Sequence, residues 1–342
     1  MTIGELIASR GAQMRVFDMG RRIEEIGADD FAAFEQQRQP WGSPYLKHAW
    51  LGILSWNASE PGQHNIWFLK LPLDEQNLLQ PAPRDAFLQF WLRVTAAPDK
   101  EHGEAPCSYK PDASRMAYFH ALALQTLKQP HTAFYTTARA YLSGDLGWEN
   151  WQQLGLQGLA EVVANLHQER NSELLTAALP SLPAVPRNAL LAFLENVQPD
   201  QALTSALNDS LAAVVREQAS VADLAAYARA LSGSVNMAQR QELLRVLLQH
   251  PHSRAVELLA AIGSRCWRDL HGSLLLTYLE ALARNEQGAG AFNALVADLL
   301  ALPGMRGNFM AVMAAPERSP ELVQAINRLF AQTRAADGGA LQ

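Results

Sequence analysis

The chain has 342 residues, 49% of them hydrophobic and 18% charged, which is the balance of a folded globular protein and enough length for two domains. A net charge of −6 argues against a nucleic-acid binder, which needs a basic footprint. Cys107 and Cys266 are too far apart and too few for a disulfide framework or a zinc ribbon, and no window approaches eighteen consecutive apolar residues, so no membrane span is expected.

The start, M-T-I-G-E-L-I-A-S-R, carries Glu5 early and lacks an apolar core, so it does not read as a secretory signal. Thr2–Ser9 reads as a short helix with Ile3, Leu6 and Ile7 on one face. Met14–Asp18 reads as a short strand that ends in a turn at Gly20. Arg21–Ile26 is open between helix and strand. Asp29 or Asp30 is placed to cap a helix carrying Phe31 and Phe34. Pro40, Gly42, Ser43 and Pro44 then make a loop.

The densest segment follows. Ile66–Gln76 reads I-W-F-L-K-L-P-L-D-E-Q, and its apolar run is too short for a stable helix. As a strand it places Trp67, Leu69 and Leu71 on one face and Ile66, Phe68 and Lys70 on the other. Both faces are mostly apolar, so the strand is expected to be covered on both sides. Its partner is expected at His48–Trp56, across a long loop Asn57–Asn65 containing Asn57, Ser59, Pro61 and Gly62. A helix over Tyr45–Ser55 is the competing reading, because Leu46, Ala49, Trp50 and Ile53 also fit helical spacing. Pro81 and Pro83 prepare a helix whose Phe87, Phe90, Trp91 and Val94 form one stripe. Five of the eight tryptophans lie between Trp41 and Trp91, so the N-terminal core is expected here.

These elements make residues 1–97 a small α+β module with an antiparallel sheet, followed by a linker over 98–112. Over 113–334 the pattern becomes helix-length, Ala- and Leu-rich segments whose starts recur at roughly 15–17 residues, so pairs recur at roughly 30–35. A HEAT-like helical repeat, or solenoid, is the closest description, with an irregular bundle as the alternative. The chain is therefore expected to be predominantly α-helical, with a disordered tail over 335–342.

Site candidates are sparse. Asp74–Glu75 could act as an acid–base pair, but adjacent residues point apart, and a capped, solvated turn is the simpler reading. Arg84–Asp85 at a helix start could hold an anion or simply cap it. Arg21–Arg22 could meet an acidic partner or belong to a mixed-charge surface with Glu24 and Glu25. Trp67 and Lys70 complete the binding candidates. Cys266, Asp269 and His271 do not share a helix face, and His250 and His252 sit in a break between helices. No P-loop, G-x-G-x-x-G, G-x-S-x-G or H-E-x-x-H occurs. No catalytic residue, metal ligand or cofactor is assigned.

V-F-D-M-G-R-R at Val16–Arg22, H-A-W-L at His48–Leu51, the I-W-F-L-K-L-P-L-D-E-Q string and Arg84–Asp85 resemble an uncharacterised gammaproteobacterial family of about this length, a domain of unknown function. The resemblance implies a cytoplasmic bacterial protein and supplies no activity. The sequence thus points first to a non-enzymatic adaptor or scaffold whose helical repeats bind another protein. The alternatives are an enzyme or small-ligand binder with a site at the domain junction and, more weakly, a nucleic-acid-binding helical repeat.

Overall fold

The computed structural model describes residues 1–57, 59–97, 103–314 and 316–339, the side chains of 60–62 and 332–339 excepted. They form two compact units, one of Met1–Tyr141 with Gln152–Asn165 and one of Leu142–Trp151 with the chain from Leu166 onward.

The first unit opens with α1, Ile3–Ala8, started by a capping box in which Thr2 and Glu5 satisfy each other's backbone N–H. Strands β1 (Ala12–Asp18) and β2 (Glu24–Ile26) follow, so the ambiguous Arg21–Ile26 piece ends as a strand. Helix α2 (Ala28–Glu35) begins after Gly27, not after an aspartate cap; Asp29 and Asp30 sit in its first turn, where they face the positive helix end. Then come β3 (His48–Asn57), β4 (Glu60–Pro72) and α3 (Pro81–Ala96). Helices α4 (Ala113–Thr126), α5 (Ala133–Leu142) and α6 (Leu156–Ala164) complete the set.

The sheet is antiparallel with strand order β2-β1-β3-β4. β3 rules out the helical reading of Tyr45–Ser55. The connection is shorter than the expected loop, because β4 already begins at Glu60. Pro61 sits in β4, an edge strand of the sheet, which is where proline is best tolerated.

Register sorts the side chains as alternation requires. Leu51 faces Leu69, Ile53 faces Trp67 and Ala49 faces Leu71. With Val16 and residues of α1, α2 and α3 they form one core. On the other face Trp50 pairs with Lys70 and Gly52 with Phe68. Phe119 of α4 lies there, edge-on to Phe17 at 5.3 Å and to Phe68 at 5.0 Å. A Cβ on Gly52 would stand 2.5 Å from the Phe119 ring, so this glycine makes room for the helix to reach the sheet.

The segment read as a linker does structural work in its described part. Lys70 N–H donates to the Cys107 carbonyl at 2.7 Å and Tyr109 N–H to the Phe68 carbonyl at 3.1 Å. Residues 107–109 therefore cover the outer edge of β4, which would otherwise offer free backbone groups to another chain. The compact unit extends past this segment through α4, α5 and α6.

The second unit is helical: α7 (Asn171–Ala178), α8 (Ala184–Leu194), α9 (Gln201–Arg216), α10 (Val221–Leu231), α11 (Met237–Gln249), α12 (Val256–Arg265), α13 (Gly272–Ala283), α14 (Ala289–Leu300), α15 (Met305–Ala314) and α16 (Pro320–Gly339). Every second helix start is 30–37 residues on. Helices pack mainly on the helix two places along: α8 and α12 on α10, α7 on α9, α13 on α11 and α15. Carboxylates tie several of these pairs. Ser172 donates to Asp200, 28 residues away. Asn188 donates to Asp223 across 35 residues. Arg240 grips Asp269 with two bonds of 2.8 and 2.9 Å across 29 residues. Helix α16 runs to Gly339, so 335–339 are helical where a disordered tail is expected; the remainder of that tail lies outside the described residues.

The packing of Phe119 on Gly52 yields the first prediction. Gly52→Ala should destabilise the chain by about 1–3 kcal/mol through overpacking, and Phe119→Ala by about 3–5 kcal/mol through a cavity. Urea unfolding followed by tryptophan fluorescence measures both, and wild-type stability in Gly52→Ala would refute the contact.

Candidate functional site

The structure separates most of the sequence candidates. Trp67 packs against Phe87 and Trp91 at 5.5 and 6.0 Å and belongs to the core. Asp74 Oδ1 accepts from the N–H groups of Gln76 at 2.8 Å and Leu78 at 2.9 Å, closing its own exposed turn; Glu75 beside it is exposed. Arg84 donates to the Glu35 carbonyl at 2.7 Å and to Asp85 at 2.8–2.9 Å. Asp74 and Arg84 are thus each engaged in their own neighbourhood. Arg22 is half-buried. Glu35, which sequence reasoning passed over, accepts from the N–H groups of Ile3 and Gly4 at 2.7 and 3.0 Å. Burial raises its pKa, against the pull of those two bonds and of Arg84.

Arg21 and Lys70 do come together with other residues, at one end of the sheet. β1 delivers Asp18, which is buried. Gly20 N–H donates to its Oδ1 at 2.7 Å and the Ser43 hydroxyl donates to its Oδ2. Burial dominates and pushes the Asp18 pKa up to about 7; the Ser43 and Gly20 bonds and Arg115 pull the other way, and Glu24 adds to the rise. Gly20 is small for a reason: a Cβ there would meet Asp18 Oδ1 at 3.0 Å and Tyr45 Cβ at 3.3 Å. Arg21 is buried, donates to the Pro44 carbonyl at 3.0 Å and lies 5.6 Å over the Tyr45 ring. Arg115 of α4 donates to the Met19 carbonyl.

β3 enters this end through a tight turn. Tyr45 and His48 exchange backbone hydrogen bonds of 3.1 Å around Leu46 and Lys47, which have φ of 50° and 61°. Two left-handed residues in a row are the geometry that Asn-Gly normally supplies, so Leu-Lys here is held under strain. The Trp50 indole N–H braces the turn by donating to the Tyr45 carbonyl at 2.9 Å. Lys70 Nζ sits 4.5 Å above the Trp50 ring and Tyr109 meets that ring edge-on at 4.8 Å. The Tyr109 hydroxyl is buried and finds no hydrogen-bond partner among the described residues; burial raises its pKa. The result is a half-buried polar and aromatic cluster. Asp18, Ser43, Trp50, Tyr109 and Arg115 were missed in the sequence. The one available signal was an aspartate falling on the core-facing period of β1, two residues after Val16.

The second unit holds a different feature. Between α9 and α11 lies an open cavity of about 530 Å³. Leu211 and Val215 line it from α9, and Leu243 and Val246 from α11. Asn208 and Gln239 are its amide contributors, and the Gln239 Oε1 is buried with no partner among the described residues. Arg216 and Glu242, both exposed, also line it. The cavity is open and mostly apolar.

Among the described residues no cluster of three or more metal-ligating side chains occurs, and no helix is long and apolar enough to cross a membrane. Residues 1–330 match the model of a family described as a protein of unknown function (DUF3549). The chain belongs to that family, in keeping with the resemblance carried by Val16–Arg22, His48–Leu51 and Ile66–Gln76. No curated protein and no solved structure matches it.

The buried Asp18 carboxyl sets a pH prediction. The folded group keeps its proton to about pH 7, whereas the ordinary value is 3.8. Folding therefore takes up a proton in between, and stability from this group falls as pH rises through that window. Asp18→Asn should flatten the slope between pH 5 and 8 and stabilise the chain at pH 8 by about 1–3 kcal/mol. Denaturant titrations at the two pH values decide; an unchanged slope would mean that Asp18 is ionised when folded.

Proposed function

For this member of the DUF3549 family we propose a non-enzymatic role, that of an adaptor which binds other proteins through its helices. In this reading a small α+β head precedes an array whose second-unit helices stack as degenerate HEAT-like pairs in a bacterial cytosol. The packing of helices on those two places along, the recurrence of starts and the carboxylate ties across 28, 29 and 35 residues support it. The single observation that carries it is the apolar opening between α9 and α11. Stacked helical repeats use such surfaces to hold peptides and domains. A nucleic-acid-binding array would need a basic surface, and the opening offers one arginine beside one glutamate.

Tagged full-length protein purified at native expression should retain at least one stoichiometric protein partner through a 0.5–1 M salt wash, roughly the range that screens surface charge. A chain that retains none across growth phases would defeat the adaptor reading.

One observation favours a second reading, a small anionic ligand at the sheet end. The Lys70 ammonium sits over the Trp50 ring, and the nearby Tyr109 hydroxyl has no hydrogen-bond partner among the described residues. A thermal-shift panel of carboxylates and phosphates tests it. A hit should raise the Tm of the wild type and lose that effect in Lys70→Met.

A further inference from the structure

We propose that the opening between α9 and α11 is the seat of one amphipathic α-helix from a partner protein, apolar over about two turns and acidic where it passes Arg216. The inference rests on the adaptor reading and names the kind of partner.

The walls have the right pattern. Asn208, Leu211, Ala212 and Val215 line the cavity from α9, and Gln239, Glu242, Leu243 and Val246 from α11. Each set follows i, i+3, i+4, i+7, so each wall is one helical face about two turns, or about 10 Å, long. Two such faces make a trough that accepts a third helical face by side-chain interdigitation.

The position also interrupts the packing series of the described helices. α7 packs on α9, α11 on α13, and α13 on α15. Between α9 and α11 the same two-place step is occupied by the cavity. A helix laid there would supply apolar contacts of the kind the neighbouring pairs already make. Val246, 42% exposed, would be covered by it.

The polar groups specify the rest. Arg216 makes no ion pair among the described residues, so it is available to a carboxylate, whereas Glu242 is engaged with Arg245 at 3.0 Å. The open charge of the trough is therefore positive, and an acidic residue on the incoming helix complements it.

The test is a displayed library of alanine-based 16-residue helices, randomised at i, i+3, i+4, i+7 and at both ends, selected against the full chain. Selected peptides should carry an apolar stripe and Asp or Glu at one end. Fluorescence anisotropy should then show binding weakened about tenfold or more by Val246→Asp, the scale of a hot-spot loss. Arg216→Glu should weaken binding similarly and be rescued by a peptide with its acidic end changed to Arg. A proline in the middle of the peptide should abolish binding. Both substitutions are at solvent-accessible positions, and circular dichroism checks that each variant folds. No enrichment, peptides bound equally by Val246→Asp, or undiminished binding of the proline peptide would each overturn the proposal. So would a homodimer in sedimentation equilibrium that Val246→Asp dissolves, because the occupant would then be a second copy. If a natural partner is retained equally by wild type and Val246→Asp, the seat is wrong and the adaptor reading stands. If no partner is retained at all, the adaptor reading itself fails.

Discussion

Phe119 standing over Gly52 is the contact on which the first unit depends. A sheet whose strands are apolar on both faces has to be covered twice, since a bare apolar face costs roughly 25 cal/mol for each Å² left in water. Helices α1, α2 and α3 cover one face with ordinary side-chain packing. The other is covered by α4, and there the ring of Phe119 reaches the backbone itself between Phe17 and Phe68. That approach also fixes where α4 starts. It brings Arg115 to the Met19 carbonyl and, through the segment before it, Tyr109 to the edge of Trp50. The polar cluster at the sheet end is thus assembled by an apolar contact some distance away.

That cluster concentrates the unusual features of the first unit. It holds a buried carboxyl whose pKa burial raises, two consecutive left-handed residues without glycine, and a hydroxyl with no partner among the described residues. Each is unfavourable by itself and is held in place by rigid neighbours. All of them collect at one end of an otherwise well-packed sheet.

The second unit solves a different problem. Leucine- and alanine-rich helices pack on one another in many registers of similar energy, so apolar burial by itself specifies order poorly. Buried or half-buried carboxylates supply the missing discrimination. Glu195 is held by Arg265 through bonds of 3.0 and 3.3 Å across 70 residues, and Asp269 by Arg240. A wrong register would leave these charges buried without partners, which is costly. Against this ordered background, the step between α9 and α11 is opened by a cavity.

Local pattern was enough to place most elements. The shared face of Ile3, Leu6 and Ile7 marked α1, alternation in Ile66–Leu71 assigned both faces of β4, and the Phe87–Trp91 spacing marked the buried face of α3. These are properties of neighbours along the chain, and periodicity records them directly. The family was legible too, because its strings are contiguous. What the sequence could not reveal were relations between distant residues: that 107–109 would edge β4, that Asp18 would meet Ser43, or that Arg240 would find Asp269. Asp74, Glu75, Arg84 and Asp85 stood out by adjacency, and adjacency along a chain does not imply convergence in space. By itself the sequence determined most of the elements and the faces of their apolar residues. Only the tertiary structure decided which polar groups were buried together and where two helices stayed apart, because burial and spacing depend on the whole packed chain.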